Sequence, residues 1–324
     1  MPGTSFEAKV DRVVDGDTVR VFLNEGDDRS ESLRILALDT EEVFPGSKPV
    51  TPLGRRASER AKELIAPDSI VRLVLPGSEP LAEALAKHRG NFGRLLVYLE
   101  LAEGRDFQEI MIREGLSPYF TKYGYAHFAS LHERYITAER EAQSADRGIW
   151  DQIGNNGSEM RNYAALTTWW DLRGRIIEGY REVKRRAPEA NLFNTRLDYA
   201  RLVEIAKARQ ETTVFMELRD FTPTSGDHIV FRTGSREQPY QLFIPNGNAG
   251  GGEDVMGLLL ERYVAEGEAK PRRSYAYVTG PTKMFPDNEN GRPEIVVTDP
   301  AQITDWPSIA LERAISGIAS PSDD

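Results

Sequence analysis

Apolar and polar positions alternate over residues 6–21 (FEAKVDRVVDGDTVRV), where Val10, Val13, Val19 and Val21 flank Asp15-Gly16-Asp17. Alternation of period two around an Asp-Gly pair predicts two strands joined by a tight turn, with Asp17 just past it. A third strand is predicted over 30–38, closing on the aliphatic run from Ile35 to Leu38. Ala57, Ala61 and Leu64 recur at helical spacing within 54–64. A strand over 69–75, a loop or short helix over 76–90 and a strand over 91–101 follow. Helices are predicted over 107–114 and 129–144, separated by Gly115-Leu116 and by an aromatic stretch with Tyr119, Phe120, Tyr123 and Tyr125. Asp146-Arg147-Gly148-Ile149-Trp150 ends this part of the chain.

Residues 152–158 (QIGNNGS) form a polar linker and a domain boundary. From 159 to 209 the periodicity is helical, with Trp169, Trp170, Ile176, Ile177 and Tyr180 on it, then Arg181, Lys184, Arg185 and Arg186; Pro188 breaks it and 199–209 resumes, and the tryptophans read as packing anchors, with base-stacking platforms as the alternative. Strands are predicted over 212–221, 228–233, 240–244, 273–280 and 294–297, with an amphipathic helix over 253–266 before the last two. Three strands, a helix and two strands is the order of an OB barrel, and YAYVTGPTKMF with EIVVTDPAQI resembles the closing strands of OB-fold domains in nucleic-acid-associated proteins. The glycine-rich run 245–252 is followed by Glu253-Asp254, which would repel phosphate, so it reads as a lead-in to the helix. The expected domains are 1–151, a linker and helical connector over 152–210, an OB-like domain over 211–306 and a C-terminal helix or tail over 307–324.

Composition narrows the class of protein. The chain has 324 residues, no Cys, 40% apolar and 28% charged residues and a formal net charge of -10. No apolar run approaches the roughly 18 residues that a bilayer requires, and residues 1–10 lack the basic start and apolar centre of a signal peptide. The expectation is a soluble cytoplasmic protein, with secretion the alternative if a leader has been removed. Residues 1–150 hold 20 Lys+Arg against 25 Asp+Glu, 159–210 hold 11 against 7, and 211–324 hold 10 against 18. An acidic total argues against a protein that coats nucleic acid non-specifically, yet leaves room for a local basic cleft.

The densest chemistry lies in residues 33–42 (LRILALDTEE), where a short aliphatic run is bracketed by Arg34 and by Asp39, Glu41 and Glu42. A strand ending in acids presents them where the chain leaves the sheet. Arg34 and Asp39 are an odd number of positions apart, so both line one pocket only if the backbone bends near Asp39. Asp17 and Asp39 from adjacent strands, with Glu42 nearby, would suit a hard cation; a salt-bridged strand end is the structural alternative. His88, His127, His132 and His228 show no metal-ligand spacing.

Five motifs in order, VDGDTV (14–19), RILALDTEE (34–42), FGRLLVYL (92–99), EIMIREGLSPY (109–119) and RGIWD (147–151), resemble the staphylococcal nuclease (thermonuclease) family over residues 6–151. The resemblance implies a five-stranded OB-type barrel with helices, and for the whole chain an α+β protein with a helical connector and a second OB barrel. It also implies Asp17 and Asp39 as Ca²⁺-ligating carboxylates, Thr40 as a backbone-carbonyl ligand, Glu42 as the residue that orients or deprotonates the attacking water, and Arg34 and Arg94 as phosphate-binding. The implied activity is calcium-dependent hydrolysis of DNA, single strands first, with RNA a further substrate, leaving 3′-phosphate ends. Physical chemistry suits these roles, because a divalent cation and two planar guanidiniums offset the charge that gathers on a phosphodiester transition state.

Departures from the family pattern are local. Glu41 stands where the family has proline, and Gly90-Asn91-Phe92-Gly93-Arg94 lacks the family's lysine and tyrosine before the arginine. Tyr119, Tyr123 and Tyr125 are candidates for base stacking, with core packing as the alternative; Arg185 and Arg186 are candidates for a phosphate track, with a solvated helix face as the alternative. A non-catalytic binding scaffold is the rival function, and the presence of Asp17, Arg34, Asp39, Glu42 and Arg94 argues against it.

Overall fold

The computed structural model describes residues 3–307 apart from 25, 47, 249, 250 and 289. The C-terminal helix or tail expected over 307–324 lies outside the described residues except for Pro307. The chain divides into two compact units, Met1–Gly174 and Arg175–Asp324, at a point inside the segment expected to be a connector.

The first unit opens with β1 (Ser5–Val13), β2 (Thr18–Phe22) and β3 (Glu31–Ile35), followed by α1 (Pro52–Leu64), β4 (Ile70–Val74), α2 (Leu81–Lys87), β5 (Leu95–Glu100), α3 (Phe107–Arg113) and α4 (Ala129–Ser144). The strands close into a barrel in the order β1-β2-β3-β5-β4, antiparallel except where β3 runs parallel to β5 with Leu33 opposite Leu95. Alternate residues of each strand turn inward: Val10, Val19, Val21, Leu33, Ile35, Leu73, Leu95, Val97 and Leu99 are fully buried together. α1 starts because Thr51 caps it, its hydroxyl accepting from the Gly54 N–H at 3.1 Å, with Pro52 at the first helical position. Asp106 caps α3 by accepting from the Glu109 N–H at 2.9 Å. The ends of α3 and α4 interlock at Gly115 and Gly148, both at positive φ, where a Cβ on Gly115 would lie 2.2 Å from the Arg147 carbonyl oxygen.

α5 (Tyr163–Arg186) begins in the first unit and ends in the second. The second unit continues with β6 (Leu192–Asn194), α6 (Tyr199–Lys207), β7 (Glu211–Glu217), β8 (Phe221–Pro223), β9 (Ile229–Gly234), β10 (Pro239–Ile244), α7 (Glu253–Leu258), β11 (Tyr275–Phe285), β12 (Arg292–Val296) and β13 (Ile303–Thr304). α7 runs into a π-helical turn, Leu259–Tyr263. The strands form an eight-stranded sheet in the order β6-β7-β11-β12-β10-β9-β8, with β13 on β11. If β7, β9, β10, β11 and β12 are taken as strands one to five, their pairings repeat those of the first barrel, including one parallel pair, β10 with β12. The helix again lies between the third and fourth strands. Between β7 and β9 the described residues show no ladder, although the two strands are neighbours; β8 pairs with β9 instead.

Two local expectations differ from what forms. Helical periodicity over 159–209 is interrupted not only at Pro188 but by β6, whose Leu192 is fully buried and pairs in parallel with Thr213 of β7. The strand expected over 212–221 stops at Glu217 and restarts as β8. Trp169 and Trp170 are buried, as packing anchors are. Among the described residues no helix is long and apolar enough to cross a membrane.

Candidate active site

The hairpin between β1 and β2 and the loop after β3 meet at one end of the first barrel. The β1–β2 turn is closed by the Val14 N–H donating to the Thr18 carbonyl at 2.9 Å and by Asp15 Oδ1 accepting from the Asp17 N–H at 3.0 Å. Burial, and then the neighbouring Asp17 charge, push the Asp15 carboxyl up to about 6. Asp17 is buried; its Oδ1 accepts from the Thr18 hydroxyl at 3.0 Å and its Oδ2 from the Thr40 N–H at 3.2 Å. A single carboxylate therefore ties the β1–β2 turn to the β3 loop.

β3 ends at Ile35, three residues short of the expected strand end, because Ala37 takes a left-handed φ of 65°. This is the bend that strict alternation demanded. It turns Asp39 back toward Arg34, whose Nη2 lies 3.1 Å from Asp39 Oδ1 and 2.9 Å from the Leu38 carbonyl oxygen. Arg34 Nη1 pairs with Asp17 Oδ1, so one guanidinium spans both carboxylates. Those two anions outweigh the burial of Arg34 and raise its pKa further.

Asp39 is enclosed by cations on its other oxygen as well. Arg161 Nη1 donates to Oδ2 at 2.6 Å and Lys48 Nζ lies 3.7 Å from it. Burial alone would raise the Asp39 pKa, but Lys48, Arg34 and Arg161 together hold it below the usual carboxylate value. The Asp39 N–H donates to Ser117 Oγ at 2.9 Å, which anchors the loop to the segment after α3.

Glu41 and Glu42 face different surroundings. Glu41 is buried and accepts a hydrogen bond from the Tyr163 hydroxyl. Glu42 keeps 40% of its side chain exposed, with Lys48 at 3.5 Å. Its backbone is fixed by α1: a Cβ on Gly54 would lie 2.2 Å from the Glu42 carbonyl oxygen, so only glycine permits this approach. Arg94 stands just before β5 and donates to the Thr18 hydroxyl at 3.3 Å; burial and then the like charge of Arg34 lower its pKa.

The expected substrate-binding residues are dispersed. Tyr119 is buried, its hydroxyl accepting from the Ala126 N–H at 2.8 Å and hydrogen-bonded to His132 Nδ1 at 2.8 Å. Tyr125 stacks on His132 at 4.4 Å between ring centres and donates to Asp171 Oδ1 at 2.7 Å. Tyr123 is 50% exposed. Arg185 and Arg186 lie in the second unit near the end of α5, both ion-paired with Glu182. The residues that sequence reasoning missed are Lys48, Arg161 and Tyr163, none of which belongs to a motif.

The aromatic segment also carries a titrating prop. Glu139 on α4 accepts from the Tyr119 N–H at 2.9 Å, and burial, with a further contribution from the Asp171 charge, pushes its carboxyl from 4.5 up to about 7. A folded pKa above the unfolded one means that the stabilising contribution is complete below about pH 4.5 and is lost as pH rises through about 7. Glu139→Gln keeps the acceptor and removes the charge. Urea unfolding from pH 4.5 to 8 should find the variant gaining on the wild type as pH rises, by on the order of 2 kcal/mol at the top of the range. A parallel offset at every pH would show that Glu139 is not the titrating group.

The donor chemistry of the loop pair suits a hard cation. Asp17, Asp39 and the Thr40 carbonyl offer oxygen only, and the Arg34 guanidinium already holds positive charge between the two carboxylates. Among the described residues no group of three or more His, Cys, Asp or Glu side chains gathers as a ligand cluster.

A family model described as staphylococcal nuclease homologue matches residues 32–152, the stretch that carries β3, the Asp39–Glu42 loop, Arg94 and the helices behind them. The thermonuclease of Staphylococcus hyicus is 32% identical over 145 residues, covering 44% of this chain and 74% of that protein. The chain belongs to the staphylococcal nuclease family. Two relatives from Bacillus subtilis are similar over a comparable length. Endonuclease YncB is 31% identical over 145 residues, 45% of this chain and 62% of the relative. The SPbeta prophage-derived endonuclease YokF is 32% identical over 148 residues, 46% of this chain and 45% of the relative. The chain thus spans less than two thirds of the length of either of these two relatives. The family match ends before Arg161 and Tyr163, which follow it within the first unit.

Proposed function

We propose that the protein is a calcium-dependent nuclease that hydrolyses phosphodiester bonds of DNA, with single strands preferred and RNA a further substrate, by single-step attack of water. The observation that carries this reading is the pairing of Asp17 and Asp39 on the one guanidinium of Arg34, with the half-exposed Glu42 on the same loop, in a barrel of the staphylococcal nuclease family. The names of the relatives, two endonucleases and a thermonuclease, support the same reaction class. The presence of all five family side chains argues against a non-catalytic scaffold.

Asp17, Asp39 and the Thr40 carbonyl would hold the Ca²⁺. When bound, the ion supplies electrostatic stabilisation of the phosphate and of the charge that develops on it. Glu42, exposed beside these groups, takes the proton from the attacking water as the oxygen–phosphorus bond forms. Arg34 and Arg94 offset charge on the non-bridging oxygens, for which planar guanidiniums are suited. The P–O5′ bond breaks, the 5′ oxygen takes up a proton from solvent and leaves as a hydroxyl, and the other fragment keeps a 3′-phosphate. The deciding experiment is cleavage of single- and double-stranded DNA and RNA with Ca²⁺, Mg²⁺ or EDTA, with end-group analysis of the products. No cleavage of any of the four substrates with Ca²⁺ would overturn the reading.

Arg185 and Arg186 are proposed as additional phosphate contacts. Both pair with Glu182, and Arg185 also with Glu178, yet they keep 63% and 55% of their side chains exposed, whereas Lys184 is engaged with the Pro188 and Leu192 carbonyls at 3.1 and 3.0 Å. Neutralising both arginines should weaken binding of single-stranded DNA and flatten its salt dependence by a slope of up to ~0.7 per lost contact. An unchanged slope would return them to a solvated helix face.

A further inference from the structure

Arg161 lies beyond the segment that the family model matches, yet it makes a short contact with Asp39, a central acid of the candidate site: its Nη1 donates to Asp39 Oδ2 at 2.6 Å. Its side chain is only 10% exposed, and the guanidinium sits over Trp170 at 5.0 Å and over Tyr163 at 5.5 Å. Both rings are buried. Trp170 packs edge-on to Phe120 at 4.8 Å, and Tyr163 donates to Glu41, the residue that replaces the family's proline. The start of α5 and the Asp39–Glu42 loop are therefore matched to each other at two adjacent acids.

We propose that Arg161 is a built-in counter-cation of Asp39 that competes with a divalent cation for Oδ2 and so sets the cation affinity of the site. This rests on the reading of Asp17 and Asp39 as cation ligands. The guanidinium lies over both buried rings as well as on Asp39, which makes it a standing competitor. A hard cation approaching Oδ2 meets an oxygen already accepting a short charged hydrogen bond and a positive charge held close by in a partly dehydrated setting. Arg34 engages the other oxygen, Oδ1, so Oδ2 is where Arg161 acts.

The test is direct calorimetric titration of Ca²⁺ into the full chain and its R161Q and R161K variants, with thermal unfolding in EDTA and at saturating Ca²⁺. R161Q should bind Ca²⁺ roughly tenfold more tightly, since one nearby unit charge is removed. R161K, which keeps a charge but loses the planar fork, should gain less, and it carries the test if R161Q does not fold. R161Q should also be less stable than the wild type in EDTA, with the deficit narrowing at saturating Ca²⁺ as the ion takes over as counter-ion. If Arg161 serves packing alone, the deficit is the same with and without Ca²⁺ and affinity does not rise. Ca²⁺ affinity in the variants equal to or below that of the wild type overturns the proposal and leaves the ligand reading standing. Absence of Ca²⁺ binding in wild type and variants alike overturns both.

Discussion

Adding EDTA should abolish phosphodiester hydrolysis, and restoring Ca²⁺ should recover it. Asp17 and Asp39 are buried carboxylates, and neither can face an anionic phosphate without a positive charge between them. Without a divalent cation the guanidinium of Arg34 offsets that charge by being tied to both acids; a bound Ca²⁺ would take over that role and leave Arg34 for the phosphate. Two carboxylates and a carbonyl leave most of a coordination sphere to water, a loose arrangement that suits Ca²⁺ better than the smaller Mg²⁺ with its stricter octahedral demand. Mg²⁺ should therefore support weak turnover or none. Cleavage of single-stranded DNA followed by gel at saturating Ca²⁺, at equal Mg²⁺ and in EDTA checks this, and full activity in EDTA would sink the mechanism.

Glu42→Gln should lower turnover by roughly 100-fold or more while leaving the fold intact, because it keeps the side-chain shape and removes the proton acceptor. Glu41→Gln should leave turnover much closer to wild type. The two glutamates are adjacent, but only Glu42 presents its carboxylate to solvent, whereas Glu41 is buried against the Tyr163 hydroxyl. The cost of Glu41→Gln should appear as stability instead, since the amide replaces a charged acceptor in a buried hydrogen bond, on the order of 1–2 kcal/mol. Steady-state kinetics paired with urea unfolding separates the two effects. Equal losses of turnover in both variants would show that the base has been assigned to the wrong residue.

The five arginines and acids of the candidate site were legible because the signals that set them are local. Alternation around Asp15-Gly16-Asp17 demands a hairpin, and a hairpin puts Asp17 at its end. The parity of Arg34 and Asp39 showed that a bend was needed without showing where; Ala37 supplies it with a left-handed φ that no local pattern marks. The tyrosines divided for a similar reason. Tyr119, Tyr123 and Tyr125 have the same composition and spacing whether they pack or stack, and only packing in space, Tyr119 against His132 and Tyr135 of α4, decides that Tyr119 is buried while Tyr123 is half exposed. In the second unit the order of strands and helix was readable, but β6 was not, since three residues are too few for a period and their strand character comes from pairing with β7.

Taken alone, the sequence determined which residues form the two strand systems, their order around a helix, and the motif acids and arginines, because period, turn chemistry and motif spacing act over a few residues. Tertiary structure alone decided what stands against those acids. Arg161 meets Asp39, and Tyr163 meets Glu41, across 122 residues of chain. A buried charge takes whichever partner the fold brings within hydrogen-bond reach, and that choice depends on distance in space, which spacing along the chain does not encode.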